Sequence, residues 1–392
     1  MLAQVGSEMY TPSIPSIAKA LNTSVNMVKL SLAIYMVGIC LTQLIYGPIS
    51  DLVGRRFPII FGVSVFIVGT FICGTALDVN ILLLGRFIQG IGAGGPAALW
   101  RAIFRDKFHG PKLAKYSSYL TVAIALIFPV TPALGGYLEV NFGWRSNFSF
   151  MGFYSVFVLG LLIFCFRESH ISLNKDKITL KSVLRIYGTL FKTPIFIGST
   201  GFVFIIFGCL FSATATLPIL FIQLLNTSPT EFGVTICLTA TTGMIVASWI
   251  NSRLVERWGI PLMLKIGTTT ILVSGLTLGG TYLLIGVHKG CTIASMLILY
   301  FSAGFLFPNA FALAFSGIKQ NIGYAGALYG FIQMGGGAFW GTITSFVPDD
   351  SPLPLAFIFL ICSLLGYILH GGVMKDFPAA RVDEVSDAIN TG

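Results

Sequence analysis

Charge is what this sequence has least of. Only 10% of its 392 residues are charged, against about 25% in a soluble domain, which excludes an ordinary water-facing surface. Acidic residues are the scarcer kind, 15 Asp and Glu against 24 Lys and Arg, for a net charge of +9. The basic residues sit between apolar runs, so the surplus points to a membrane topology signal rather than to nucleic acid. No C-x-x-C pair occurs among the seven scattered cysteines (Cys40, Cys73, Cys165, Cys209, Cys237, Cys291, Cys362), which disfavours a disulfide framework or a thiolate metal site. There is no Walker loop, no G-x-S-x-G and no His/Cys ligand cluster, so an ATP motor, a serine hydrolase and a metalloenzyme are all disfavoured. No cofactor or metal is expected. Residues 1–20 lack the basic n-region and small-residue cleavage site of a signal peptide.

What the sequence has is apolar length. Hydrophobic residues make up 55% of it, in runs near 1–20, 27–49, 58–77, 81–103, 115–138, 146–166, 195–223, 232–251, 261–285, 291–315, 323–347 and 353–374. Spanning a bilayer takes roughly 20 such residues. The longest gap, 167–194, is rich in charge and falls between the sixth and seventh runs. Six runs, a basic linker and six more runs is the layout of a parallel-repeat transporter. The expected fold is therefore an all-α membrane protein of twelve transmembrane helices in two bundles. The N-terminal six-helix bundle is 1–166, the cytoplasmic linker 167–194, the C-terminal bundle 195–374 and the cytoplasmic tail 375–392. With run one starting inside, inner segments hold nineteen Lys and Arg; the outer ones hold four, Lys19, Lys29, Arg145 and Lys289, and Arg86 lies within run four. That asymmetry places both termini in the cytoplasm. Run one is short for a span, so the first helix is expected to be truncated, with the natural start upstream of Met1.

Glu8 is the one acid expected inside a span. A charge at the bilayer centre costs about 2.5–3.5 kcal/mol on insertion scales and usually marks an ion or proton pathway. It is a candidate proton carrier and a partner for a cationic substrate, the alternative being a structurally hydrogen-bonded carboxylate near the interface. Pro12 and Pro15 follow it and predict a kink or an end of the helix. Arg86 is the basic counterpart, expected to pair with backbone carbonyls, with Gln89 or with an acid on a moving helix, either for proton coupling or as an anchor. G-P-I-S-D-L-V-G-R-R at 47–56 suggests a conformational lock. Gly47 permits close helix approach, Gly54 a tight turn, Asp51 a helix-terminus or arginine contact, and Arg55 and Arg56 anchor the inner face. N-S-R-L-V-E-R-W-G at 251–259 is its degraded echo in the second half. In run five, Pro129, Pro132, Gly135 and Gly136 are candidates for bending the helix or packing it closely. Tyr10, Tyr35, Gln89, Trp100, Asn309 and Gln333 are candidate cavity residues; for the amides, interhelical hydrogen bonding is the default.

These motifs together resemble the major facilitator superfamily, in its drug:proton antiporter branch of the bicyclomycin-resistance and chloramphenicol-efflux type. The resemblance covers essentially the whole chain. Its most specific parts are E-M-Y-T-P-S-I-P at 8–15 and Q-L-I-Y-G-P-I-S-D-L-V-G-R-R at 43–56. It implies a proton-coupled exporter of small amphipathic compounds, including antibiotics, in the bacterial inner membrane. It implies Asp51 and Arg55 in the lock and Glu8 in protonation or cation recognition. Glu8 stands where many relatives carry Asp, and Ile127 and Thr131 stand where the pattern favours glycine. The expected partners are a small-molecule substrate, protons and the lipid bilayer, with the protein acting as a monomer. The alternative is a dedicated carrier, exporter or importer, of one metabolite such as a siderophore, amino acid or sugar. A receptor or a passive channel is disfavoured by the isolated charges and by the absence of a filter-like loop.

Overall fold

A computed structural model describes residues 1–107, 116, 127, 130–169, 180–316, 318, 322–348 and 350–376; Pro129, linker residues 170–179 and the tail beyond 376 lie outside them. The described residues are helical throughout, with no strand among them. The elements are α1 (Leu2–Glu8), a 3-10 turn (Thr11–Ser13), α2 (Ile14–Ala20), α3 (Val25–Val53), α4 (Arg56–Gly74), α5 (Val79–Lys107), α6 (130–142), α7 (Arg145–Cys165), α8 (Leu180–Phe191), α9 (Pro194–Pro218, continued by a wide turn Ile219–Leu224), α10 (Pro229–Ile285), α11 (Lys289–Phe315), α12 (Ile322–Ser345) and α13 (Leu353–Asp376).

Local chemistry fixes where helices begin. Ser24 and Ser228 side chains accept from the Met27 and Glu231 amides, and Asp78 accepts from Asn80 and Ile81, each satisfying first-turn donors. Pro194 and Pro229 stand at first-turn positions, where a missing N–H costs nothing. Seven helices are long and apolar enough to cross a membrane, among the described residues. Their outward faces carry large apolar side chains, such as Phe164 at 87% exposure and Leu284 at 85%, which suits contact with lipid.

Run one is not a continuous span. The helix stops after Glu8, Met9 and Tyr10 form a turn, Pro12 lies in the 3-10 turn and Pro15 in the first turn of α2. Runs eight and nine have no loop between them. The echo segment 251–259 is helical up to Gly259, whose φ of 76° breaks α10 into two pieces. The pieces run antiparallel along α11. Residues 243 and 247 meet Leu297 and Gly304, while 267 and 274 meet Leu306 and Ser295 in the opposite order. Gly54, between α3 and α4, has φ 92° and ψ 170°, close to the 76° and 160° of Gly259. The two halves thus share one turn geometry, in a region of φ that favours glycine. Two charge placements also differ from expectation. Lys29, assigned to an outer segment, is buried in α3, and Glu139, assigned to a run end, lies within α6.

Candidate functional site

The central charges meet where the broken first helix crosses the bundle. Arg86, on α5, is fully buried. Its Nη1 donates to the Gly6 carbonyl at 2.7 Å and to Gln89 Oε1 at 2.5 Å. The guanidinium is sandwiched between the rings of Tyr10 and Tyr35, 4.3 and 4.2 Å from their centroids. Such stacking suits Arg because its planar, weakly hydrated cation keeps its charge in apolar surroundings. The rings are themselves fixed: Tyr35 Oη donates to the Ala3 carbonyl at 2.9 Å, and Tyr10 Oη pairs with Ser31 Oγ at 2.8 Å. Gln89 Nε2 donates to Thr70 Oγ1 at 2.8 Å. Arg86 therefore clamps α1 to α3, α4 and α5.

Glu8 ends α1 and is buried. Thr214 Oγ1, on α9 in the second half, donates to its Oε2 at 3.4 Å, while Oε1 has no hydrogen-bond partner. Thr11 Oγ1 donates to the Glu8 carbonyl at 2.8 Å, covering an end the broken helix leaves open. Arg86, Tyr35 and Tyr300 lie within electrostatic reach of the carboxyl group without forming an ion pair with it. Next along the chain, Ser13 and Ser16 donate to Glu139 at 2.5 and 2.6 Å, and Asn147 Nδ2 donates to Ser13 at 2.9 Å. The sequence offered only a run-end acid as a hint of this second carboxylate.

The two halves touch through bare backbone at the end away from the lock loop. A Cβ on Gly136 would strike the Pro229 carbonyl and one on Gly233 that of Pro132, while Gly135 faces the Met9 carbonyl within the first half. Thr230 Oγ1 donates to the Gly136 carbonyl at 3.2 Å. Pro132 and Gly136 thus sit in a seam between α6 and the start of α10, and Gly135 packs against the broken first helix.

At the lock-loop end the halves part around a cavity of about 540 Å³, within the usual range for small-molecule pockets. Its walls include Gln43, Gly47, Asp51, Trp100, Phe311 and Tyr324, drawn from α3, α5, α11 and α12. A Cβ on Gly47 would lie 3.7 Å from Ala327 Cβ across the cleft. Arg55, 2% exposed, links Asp51 at 2.5 Å, Asp106 at 3.0 Å and Ser50 Oγ at 2.5 Å. Glu168, just past α7, accepts from the backbone N–H of Arg55 at 2.8 Å and of Arg56 at 3.0 Å, capping α4 from 113 residues away. Arg56 Nη2 donates to the Ile163 carbonyl at 2.7 Å. Of the residues singled out as candidate cavity groups, Trp100 lines this space. Tyr10, Tyr35 and Gln89 are in the Arg86 cluster, and Gln333 is half-buried on α12. Asn309 donates to Asn251 Oδ1 at 2.6 Å and to the Phe305 carbonyl at 2.7 Å, joining α11 to α10.

Two bundles, a cavity between them at one end and a backbone seam at the other are the parts of an alternating-access carrier. The sequence pattern described as Major Facilitator Superfamily matches residues 1–342. The chain belongs to that superfamily. This transporter is 28% identical over 372 residues to a bicyclomycin resistance protein homolog of Haemophilus influenzae, covering 94% of this chain and 92% of the relative. It is 28% identical over 383 residues to the uncharacterized MFS-type transporter YdgK of Bacillus subtilis, covering 96% and 93%. It is 25% identical over 397 residues to the multidrug resistance protein MdtL of Citrobacter koseri, covering 98% and 95%. Among solved structures, the partially occluded inward-open xylose transporter XylE from E. coli superposes with a TM-score of 0.73 at 15% identity, over 96% of each chain. A peptide transporter, POT, superposes with a TM-score of 0.75 at 14% identity, over 94% of this chain and 91% of that one. These superpositions speak for the fold alone. The transporter is a multi-pass membrane protein and not an enzyme.

Proposed function

We propose that this transporter is a proton-driven exporter of small amphipathic compounds. It works as a monomer in a bacterial inner membrane, with both termini and the lock loop on the cytoplasmic side. The observation that carries this reading is Glu8, a buried carboxyl group on a broken helix that accepts a hydrogen bond from Thr214 of the other half. Its state of protonation is thereby tied to how the halves sit against one another. The names of the relatives, bicyclomycin resistance and multidrug resistance, support the substrate class.

In the proposed cycle, substrate enters the cleft from the cytoplasm while the glycine seam closes the outer end. The lock loop then draws together, the seam opens, and a proton from outside neutralises Glu8 as substrate leaves. Neutralisation removes the cost of a bare charge in the packed core and favours the return. The membrane potential supplies about 2.3 kcal/mol per charge per 100 mV, in addition to any pH gradient.

The test is transport in proteoliposomes under an imposed pH gradient, using a panel of toxic amphipathic compounds and common metabolites. Glu8→Gln is expected to abolish the dependence on the gradient while the protein still expresses and folds. Intact coupling in that variant removes Glu8 from the mechanism. Movement of a single metabolite and no drug would favour the dedicated carrier instead.

A further inference from the structure

The linker helix α8 was not legible as a helix from charge content, yet it makes a specific contact between the halves. Val183, Tyr187 and Leu190, spaced i, i+4 and i+7, bury their side chains in the core of the second half, so α8 travels with that half. Tyr187 also reaches the first half. Its hydroxyl donates to the Leu44 carbonyl of α3 at 3.3 Å. Leu44 is four residues before Pro48, which has no N–H to give to that carbonyl. A backbone oxygen left without its helical donor is a fixed acceptor awaiting a partner. The Tyr187 ring meets Tyr324 of α12 edge-on, 5.9 Å between centroids at 71°, and Tyr324 is part of the cavity wall. The Asp51 carboxylate is within electrostatic reach of both tyrosines.

We infer that Tyr187 is a latch between the halves, its hydroxyl occupying the carbonyl that Pro48 sets free and so limiting how far the lock-loop end opens. The carboxylate and guanidinium of the lock loop act within the first half and toward α12. The tyrosine adds a tie from the linker, beside the same cavity. The inference rests on the rocking of the two halves and is independent of the substrate and of proton coupling. Losing the tie favours the state in which the loop end is wide and the far seam closed.

The test uses the full chain in proteoliposomes, with its native cysteines replaced by serine and a water-soluble maleimide as the probe. One reporter is Ala327→Cys on the cavity wall and the other is Thr230→Cys in the far seam. Tyr187→Phe removes only the hydroxyl. It is expected to speed labelling at 327 by about fivefold and to slow it at 230, the size that follows from one net hydrogen bond. A merely loosened protein would label faster at both sites, and that result overturns the latch. Pro48→Ala gives Leu44 a helical partner, so Tyr187→Phe on that background is expected to add less than about twofold. An undiminished effect there removes the role of the freed carbonyl. If Tyr187→Phe labels like its parent while Asp51→Asn changes labelling at both sites, the latch is wrong and the rocking stands.

Discussion

Among the described residues, the buried charged side chains, Glu8, Lys29, Arg55 and Arg86, all precede the linker; the polar side chains buried beyond it are hydroxyls and amides. The two equivalent turns show the same contrast. At Gly54 the chain reverses inside a net of Asp51, Arg55, Asp106 and Glu168. At Gly259 it reverses with nearly the same backbone angles, but the nearby contacts are Asn251 with Asn309 and the His370 ring nitrogen with the Pro261 carbonyl. The second turn shares the geometry of the first but not its buried ion network, since Arg253, Glu256 and Arg257 ahead of it are exposed. Burying an ion costs several kcal/mol unless it is well partnered, so one half carrying all of them implies a division of labour. In the proposed cycle, the first half holds the groups that respond to protons and to closure. The second half presents no buried charge to them among the described residues, and touches Glu8 through a threonine hydroxyl.

That contrast can be broken or sharpened by substitution in each half. Arg86→Met should have the largest effect. It leaves the Gly6 carbonyl and Gln89 Oε1 without their donor and the two tyrosine faces without their cation, a loss on the order of 3 kcal/mol in unfolding free energy. A variant of undiminished stability would show that buried charge in the first half is not structural. Asn309→Ala, the matching test in the second half, should cost about 1 kcal/mol and leave transport within about twofold. Unfolding and transport assays on the same preparation check both parts, and a loss of proton coupling there would end the division of labour. Lys289→Ala removes the exposed ion pair with Glu231 and should change stability by less than about 0.5 kcal/mol.

Isolated charges in apolar stretches are what a sequence shows most plainly, and Glu8 and Arg86 were legible for that reason. Apolar length likewise marked the helices. Contacts that depend on where helices lie relative to one another were not legible. Glu168 caps α4 from beyond α7, which no spacing rule connects to Gly54. Lys29 was counted as a loop residue because it stands two residues inside a run, yet α3 begins at Val25 and buries it. The linker was judged by its charge, and the apolar spacing of Val183, Tyr187 and Leu190 was the signal passed over. The break at Met9 and Tyr10 precedes the prolines that forecast it, because Pro12 shapes the turn entering the next helix rather than the end of the last.

The single-residue reversal at Gly259 has a consequence for biogenesis. With no loop between them, the two pieces of α10 have no slack in which one could cross the bilayer while the other waits on the surface. They are therefore expected to insert into the bilayer as a joined hairpin. A β-branched residue at 259 would then be felt during synthesis, as chains that never integrate, before it was felt as slower traffic through those that do.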